Sequence, residues 1–417
     1  MRKLLWMVWL LLGTIPVLSQ EEKDVDLEAL YKQIDKAIEE SPLYVQAKEE
    51  EIKETYDLFM KAKNAENRLE IAEQLFWLYK PFKNDSAIHY AQLIVDLAKE
   101  VNRLAVSNRY RALLARQCSN AGMYVEASGI LQKTDKTALD RQGLTDYYDA
   151  CMHVCGEVAA YTLIPQIRDY YYAEQDHYRD SLLTVVDPAS DNYLHLQMSA
   201  LCARQQYQEA LKVSDKWLNK TVSGTHEDAY AAYYRHIVYA NIGNEKMVRY
   251  WLGKSAFDDV SCAVMDQAAL INLAQLLNID GDLERSYRYI RFTWQCNSFF
   301  NTRMRANQIS PVLNVIEKNY QDAIDRNTKL LYIIATIGAI LAIVFFSFLT
   351  ILLKQKKKLA LAQQEVKKKN EELEASNHKL KWMNERVMKN NKQLFEINAR
   401  LQEEKNGILD NSIPDQS

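Results

Sequence analysis

The stretch from residue 330 to residue 353 constrains this chain more than any other feature. It runs 24 residues without a charge, and 16 of them are Leu, Ile, Val or Phe. A helix of that length reaches about 36 Å, enough to cross a hydrocarbon core about 30 Å thick. A buried core helix would need protein on every side, whereas charged runs flank this stretch. The sequence therefore predicts a single transmembrane helix over residues 330–353.

Positive charge is distributed unevenly around this stretch. Lys and Arg in excess mark the cytoplasmic side of a span, and here the C-terminal side holds the excess. The N-terminal flank carries Lys318, Arg326 and Lys329, whereas the C-terminal flank carries Lys354, Lys356, Lys357, Lys358, Lys367, Lys368 and Lys369. We therefore expect the C-terminus in the cytoplasm and the N-terminal region on the exported side of a bacterial inner membrane.

Residues 1–19 have the pattern of a secretory signal peptide. Arg2 and Lys3 form the basic end, Leu4 to Leu12 the apolar core, and Pro16 precedes a cleavage site before Gln20. An uncleaved anchor is the alternative. In both cases residues 20–329 are exported, in agreement with the excess of Lys on the C-terminal side of the span.

Charge and composition describe the exported region further. Only 11 Gly and 7 Pro occur in 417 residues, which favours a helical protein. Between the leader and the end of the span lie 45 acidic and 36 basic residues, whereas 10 acidic and 14 basic residues follow residue 353. An acidic exported region and a mildly basic tail argue against nucleic-acid contact by this chain.

A turn motif recurs along the exported region at a spacing of about 40 residues. It reads Ala121-Gly122-Met123-Tyr124-Val125-Glu126-Ala127 in one copy and Arg204-Gln205-Gln206-Tyr207-Gln208-Glu209-Ala210 in another. Turn centres fall near residues 84, 124, 207, 245 and 283, with a missing copy expected near Pro165. A helix–turn–helix unit at this period indicates an α-solenoid, and an irregular helical domain is the alternative.

These motifs resemble the tetratricopeptide-repeat (TPR) superfamily over roughly residues 65–300. The resemblance implies an all-α solenoid with a concave surface that binds a peptide or protein. The residues show no nucleophile elbow, phosphate-binding glycine loop or metal-ligand spacing, so we expect no enzyme activity, no cofactor and no metal. Cys151 and Cys155 with His153 between them could suggest a metal or redox site, but apolar packing is favoured. The six cysteines permit disulfides without dictating a pairing.

A heptad repeat follows the span. Apolar residues recur every seven positions at d, and asparagines occupy position a, a pattern that specifies a parallel dimeric coiled coil over residues 354–406. A lone solvated helix is the alternative. The predicted seam consists at d of Leu359, Val366, Leu373, Leu380, Val387, Leu394 and Leu401, and at a of Asn370, Asn377, Asn384, Asn391 and Asn398. We expect Asn406-Gly407 to end this helix and residues 407–417 to form a disordered tail.

This order of segments resembles a family of bacterial membrane-anchored TPR regulators, and it is similar to the sensor halves of repeat-containing histidine kinases. The resemblance implies an effector after the coiled coil, whereas this sequence ends where such a domain would begin, and a truncated product is one explanation. Lys379 after His378 departs from the kinase phosphoacceptor motif. We therefore expect a non-enzymatic sensor that binds a peptide or protein outside and signals through its homodimeric coiled coil. A static membrane scaffold is the alternative, and a periplasmic enzyme ranks third.

Overall fold

The computed structural model describes residues 25–410. The predicted signal peptide, residues 1–19, lies outside this range, as do residues 411–417 of the predicted tail. Within the described range the chain is all-α. Its helices are α1 (Leu27–Lys61), α2 (Ala65–Tyr79), α3 (Asn84–Glu100), α4 (Leu104–Asn120), α5 (Tyr124–Gln132), α6 (Arg141–Tyr161), α7 (Pro165–Val185), α8 (Asp191–Ala203), α9 (Tyr207–Leu218), α10 (His226–Ile242), α11 (Glu245–Ser261), α12 (Ala268–Asp280), α13 (Leu283–Phe300) and α14 (Arg303–Asp410), with a 3₁₀ turn over Lys136–Ala138.

Six helix–turn–helix pairs run from α2 to α13, which confirms the predicted solenoid over residues 65–300. The five turn centres predicted from the sequence coincide with the first residues of α3, α5, α9, α11 and α13. The missing copy is also a helix pair, because α6 ends at Tyr161 and α7 begins with Pro165 in its first turn. Proline is favoured there, since its fixed φ suits a helix start and its missing N–H is not needed.

Short connections hold the two helices of each pair together. Gly243 and Gly281 follow α10 and α12 at φ of 81° and 87°, in the left-handed region that glycine adopts without steric cost. Asn244 and Asp282 then cap the next helices, since their side chains accept hydrogen bonds from the amides of Met247 and Arg285.

Alanine at the helix crossings lets the pairs pack closely. Ala127 and Ala210, which end the two copies of the turn motif, and Ala87 at the equivalent fourth position of α3 are fully buried. Large side chains such as Tyr110 and Trp217 fill the space between successive pairs and are also fully buried. The repeated motif therefore marks close helix packing, as the sequence predicted.

Helix α1 was not predicted, and it connects the two ends of the repeat domain. Its C-terminal half packs against the first pair through Ile52 and Phe59. Its N-terminal half packs through Tyr31 and Ile34 against the last pairs. Pro42 lies between these halves and cannot donate to the carbonyl of Ile38, which accepts a hydrogen bond from the Ser41 hydroxyl at 2.8 Å instead.

Direct contacts between the first and last pairs complete a closed domain. The amide of Met265 donates to the carbonyl of Pro81 at 2.9 Å. The Phe82 and Phe299 rings pack edge to face with centroids 5.1 Å apart. The repeat domain therefore forms one body, which extends to residue 324.

The second unit comprises residues 325 onward and consists, as far as the structure describes it, of the rest of α14. This helix continues to Asp410, so the predicted stop at Asn406-Gly407 is wrong. Asn and Gly lower helix propensity by only about 1 kcal/mol or less per residue relative to Ala. That cost is too small to end the helix, which continues to Asp410.

Candidate functional site

The predicted transmembrane helix and coiled-coil seam both lie on α14. Residues 330–353 are exposed along their whole length, and within residues 25–410 only this helix is long and apolar enough to cross a membrane. All twelve seam residues, from Leu359 to Leu401, are also exposed in the single chain. The seam and its homodimer therefore remain predictions.

A second candidate surface lies within the repeat domain. The first helices of successive pairs, together with the start of α14, bring half-buried polar and aromatic side chains to one region. We call this surface the inner face and define it by Lys80, Arg116, His153, His195, Tyr234 and Arg305.

Arg116 on α4 is central to the inner face. Its Nη1 donates to Asp149 Oδ2 on α6 at 2.6 Å. Burial lowers the pKa of His195 on α8, and the positive charge of Arg116 lowers it further. Burial raises the pKa of Tyr234 on α10, and the charge of Arg116 opposes that rise. Although α4 and α10 belong to different, non-consecutive pairs, the fold brings Arg116 within electrostatic range of His195 and Tyr234.

A second ion pair lies beside the first. Arg109 Nε on α4 donates to Asp146 Oδ2 on α6 at 2.6 Å. Burial raises the pKa of Asp146, whereas Arg109 acts to lower it. Two adjacent cation–carboxylate pairs therefore join α4 to α6 along the inner face.

His153 occupies the middle of the inner face. Its Nε2 lies 2.8 Å from Asn120 Oδ1. Burial lowers the pKa of His153 well below its usual range, and the nearby charges of Arg116 and Arg305 lower it further. His153 is therefore neutral at pH 7, and it adds a polar contact without adding charge.

Arg305 brings the first turn of α14 to the same surface. Its guanidinium binds both carboxylate oxygens of Asp266, with Nη2 3.1 Å from Oδ2. Burial lowers and Asp266 raises the pKa of Arg305, and the net shift is upward. This bidentate pair fixes the start of α14 against the turn between α11 and α12.

Aromatic rings form the opposite side of the inner face. Tyr230 and Tyr234 lie one turn apart on α10, with ring centroids 4.9 Å apart, and both pack against Trp217. The His195 ring lies 4.0 Å from that of Tyr234. Burial lowers the pKa of His195 to about 4, so this ring is neutral at pH 7. The inner face thus combines charged side chains from α4, α6 and α14 with aromatic side chains from α8 and α10.

The family of this chain follows from comparison with known proteins. The model of the SusR N-terminal TPR domain matches residues 38–311, which is well over half of the chain. The chain belongs to the SusR N-terminal TPR domain family. The match confirms the TPR resemblance, and TPR-like repeats are protein-interaction folds.

Other comparisons add less about the SusR-type TPR domain. Among solved structures, the chain is similar to a Rap protein complexed with competence and sporulation factor, at 12% identity and a TM-score of 0.35. That similarity covers 72% of this chain and 88% of the Rap chain. This degree of similarity says nothing about the ligand of the present chain. No curated protein matches the sequence.

The cysteines of the SusR-type TPR domain serve packing. Cys118, Cys151, Cys155 and Cys296 are buried, and none of the six cysteines is in a disulfide. Burial raises the pKa of Cys151 to about 12, so its thiol is neutral and unreactive at pH 7. His153 turns away to Asn120. Among residues 25–410, no group of three or more His, Cys, Asp or Glu is arranged to hold a metal.

The inner-face residues of the SusR-type TPR domain were missed by the sequence analysis. A signal was nevertheless present on the first helices, where polar or aromatic residues recur at intervals of three, four or seven. Examples are Trp77 and Lys80 on and just after α2, Asp149 and His153 on α6, and Tyr230 with Tyr234 on α10. Such spacing marks one helix face, but nothing in it shows that these faces meet.

Proposed function

We propose that this chain is a non-enzymatic, single-span envelope receptor that binds a peptide on the inner face of its TPR domain. The observation that carries this proposal is the convergence of half-buried charged and aromatic side chains from α2, α4, α6, α8, α10 and the start of α14. A surface of this kind offers hydrogen bonds to a peptide backbone and rings for its side chains.

Signalling is the second part of the proposal. Residues 330–353 would cross the inner membrane with the TPR domain on the exported side, and residues 354–406 would form a parallel homodimeric coiled coil in the cytoplasm. Arg305 supports a link between binding and output, since it lies on the inner face and belongs to the helix that continues to Asp410. A ligand that altered the Arg305–Asp266 pair would act on that helix directly.

A binding experiment tests the receptor function. Full-length protein in nanodiscs would be incubated with a random heptapeptide library, and the retained peptides would be identified by mass spectrometry and their affinities measured. Tyr234→Ala should weaken binding about 10-fold or more, because a ring stacked on the ligand is lost.

Leu163→Ala is the matched control for this experiment. Leu163 lies between α6 and α7 and is 97% exposed, so its truncation should leave binding unchanged. A wild-type protein that retains no peptide, or equal affinities for Tyr234→Ala and wild type, would contradict the proposed receptor function.

A further inference from the structure

Lys80 is a cation without a carboxylate partner on the inner face. It follows α2 directly, and its ammonium lies 4.5 Å from the centroid of the Trp77 ring. No Asp or Glu oxygen among residues 25–410 lies within ion-pair distance of Lys80, whereas Arg109, Arg116 and Arg305 each have one. The Trp77 ring is 42% exposed, so it remains available for contact.

The charged groups nearest to Lys80 are engaged with one another. Those that act most strongly on Lys80 are Arg116, Asp149, Asp146 and Arg109. These four form two one-to-one ion pairs, Arg109–Asp146 and Arg116–Asp149. Glu73, the acidic residue two turns earlier on α2, acts on Arg109 and Tyr110. Lys80 is therefore the cation of this cluster that has no carboxylate in direct contact.

Burial makes the positive charge of Lys80 costly. Desolvation, together with the nearby Arg116, lowers the pKa of Lys80 to about 8. The amine therefore remains mostly protonated at pH 7 while it lacks part of its hydration. An anion that entered the inner face would compensate for this loss, and its attraction to Lys80 would be strengthened by the low local dielectric.

Arg116 offers donors for the same anion. Among the described residues its guanidinium donates to protein only through Nη1, to Asp149, although the group carries five N–H donors. Arg116 lies within electrostatic range of Lys80, so both cations can act on one anion. A single negative charge fits this place better than a dianion, because Asp146 and Asp149 would repel a second charge.

We propose that Lys80 and Arg116 bind a carboxylate of the peptide ligand, and that Trp77 packs against the adjoining apolar part of that ligand. This inference rests on the proposed receptor function and specifies its ligand as a carboxylate-bearing peptide. The carboxylate has two chemical sources, the free C-terminus of the peptide or an Asp or Glu side chain.

Three forms of one heptapeptide library distinguish these sources in binding to the full-length protein. The first has free C-termini and no Asp or Glu, the second is C-terminally amidated and contains Asp and Glu, and the third is amidated and contains neither. Peptides from the first or second library should bind about 10-fold to 100-fold more tightly than peptides from the third. The library that gives the tighter binders identifies the source of the carboxylate.

Substitution of Lys80 tests whether this residue binds the carboxylate. Lys80→Met should remove most of the difference in affinity between the carboxylate-bearing peptides and the peptides of the third library. Lys80→Arg should retain this difference. Lys212→Met is the matched control, since Lys212 is a surface lysine paired only with Glu209. Should Lys80→Met fail to fold, the comparison of libraries on wild-type protein still decides whether a carboxylate is recognised.

Three results would overturn the inference, and they are distinguishable. Peptides of the third library that bind as tightly as the others would exclude carboxylate recognition and leave the receptor function intact. A carboxylate preference that persists in folded Lys80→Met would remove Lys80 from the site. Retention of no peptide from any library would refute the receptor function itself, and the inference with it.

Discussion

Single side chains in this protein combine core packing with the support of the inner face. Trp217 illustrates this dual role, because it is fully buried and its ring packs against the rings of Tyr230 and Tyr234. Its indole supports the aromatic side of the inner face while remaining fully buried itself.

Truncation of Trp217 should therefore destabilise the TPR domain. Trp217→Ala removes a fully buried indole and leaves a cavity, so we expect a loss of about 3–5 kcal/mol in the free energy of unfolding. Denaturant titration followed by circular dichroism measures this loss. Leu163→Ala at an exposed turn should change stability by less than about 0.5 kcal/mol. Similar losses in the two variants would show that the packing around Trp217 is wrongly described.

Asp258 gives the TPR domain a dependence on pH. Burial raises the pKa of Asp258 to about 6, although Lys254 Nζ lies 2.8 Å from its Oδ2 and acts to lower the pKa. The folded state therefore binds a proton more readily at this carboxyl than the unfolded chain does. The stability contributed by Asp258 is fully present below about pH 4 and is lost as the pH rises through about 6.

Asp258→Asn should remove this contribution. Unfolding free energies measured for wild type and Asp258→Asn at pH 4.5 and pH 6.5 should differ, with the wild type losing more stability on going to the higher pH. Asp228 shares Lys254 but has a lowered pKa, so its contribution has the opposite sign. An equal pH dependence in both proteins would refute the role of Asp258.

At the scale of helices, a cluster of ion pairs joins α1 to α13. Arg285 on α13 binds both oxygens of Glu28 at 2.7 and 2.8 Å and donates from Nε to Asp35 at 2.9 Å. These partners are 250 or more residues apart in the chain. This guanidinium therefore holds the start of α1 to the last helix pair.

Loss of this guanidinium should loosen α1 while the helix pairs remain folded. Arg285→Met keeps the apolar stem but removes the hydrogen bond to Asp35, which keeps only its ion pair with Arg288 at 3.4 Å, and the loss should cost about 1–3 kcal/mol. Hydrogen exchange should become faster in residues 27–38 and stay unchanged in α6. Glu28→Gln, at an exposed partner, should have a smaller effect. Uniformly faster exchange in Arg285→Met would instead show that α1 does not open separately.

The coiled-coil seam makes a second prediction at this scale. If Asn384 and Asn391 lie at a, the double substitution Asn384→Ile/Asn391→Ile should raise the melting temperature of a peptide comprising residues 355–407. Isoleucine at a with leucine at d suits a dimer seam, and asparagine there specifies register at a cost in stability. Sedimentation should also show a less strictly dimeric assembly. A peptide that melts no higher would place the asparagines on the solvent face.

Local features of the fold could be predicted from the sequence, and distant ones could not. The helix pairs were predictable because each turn motif and its flanking amphipathic helices lie within about 40 residues. The pairing of Arg285 with Glu28 and Asp35 leaves no local pattern. The inner face was missed for the same reason, since Lys80, Arg116 and Tyr234 meet only once the pairs have stacked. The stop at Gly407 failed because Asn-Gly only weakens a helix.

At the scale of the whole molecule, the proposed topology is open to direct test. A reporter active only in the periplasm should be active when fused after Lys318 and silent when fused after Lys405, because the lysines at 354–369 favour a cytoplasmic C-terminus. A cytoplasmic reporter fused at the same two positions serves as control and should give the reverse pattern. Activity of the periplasmic reporter at Lys405 would overturn the orientation.

Closure of the repeat domain by α1 also has a consequence for the order of folding. In the proposed topology α1 emerges from the membrane first, about 250 residues before Arg285 and the rest of its docking surface. Adjacent helix pairs can form as they emerge, since their contacts are local. Helix α1 cannot pack until the last pairs emerge, so Tyr31 and Ile34 remain exposed until then. At equilibrium this long closure costs little, because its entropy grows only with the logarithm of loop length. The newly exported chain should therefore depend most on periplasmic chaperones during the interval before its last helix pair arrives.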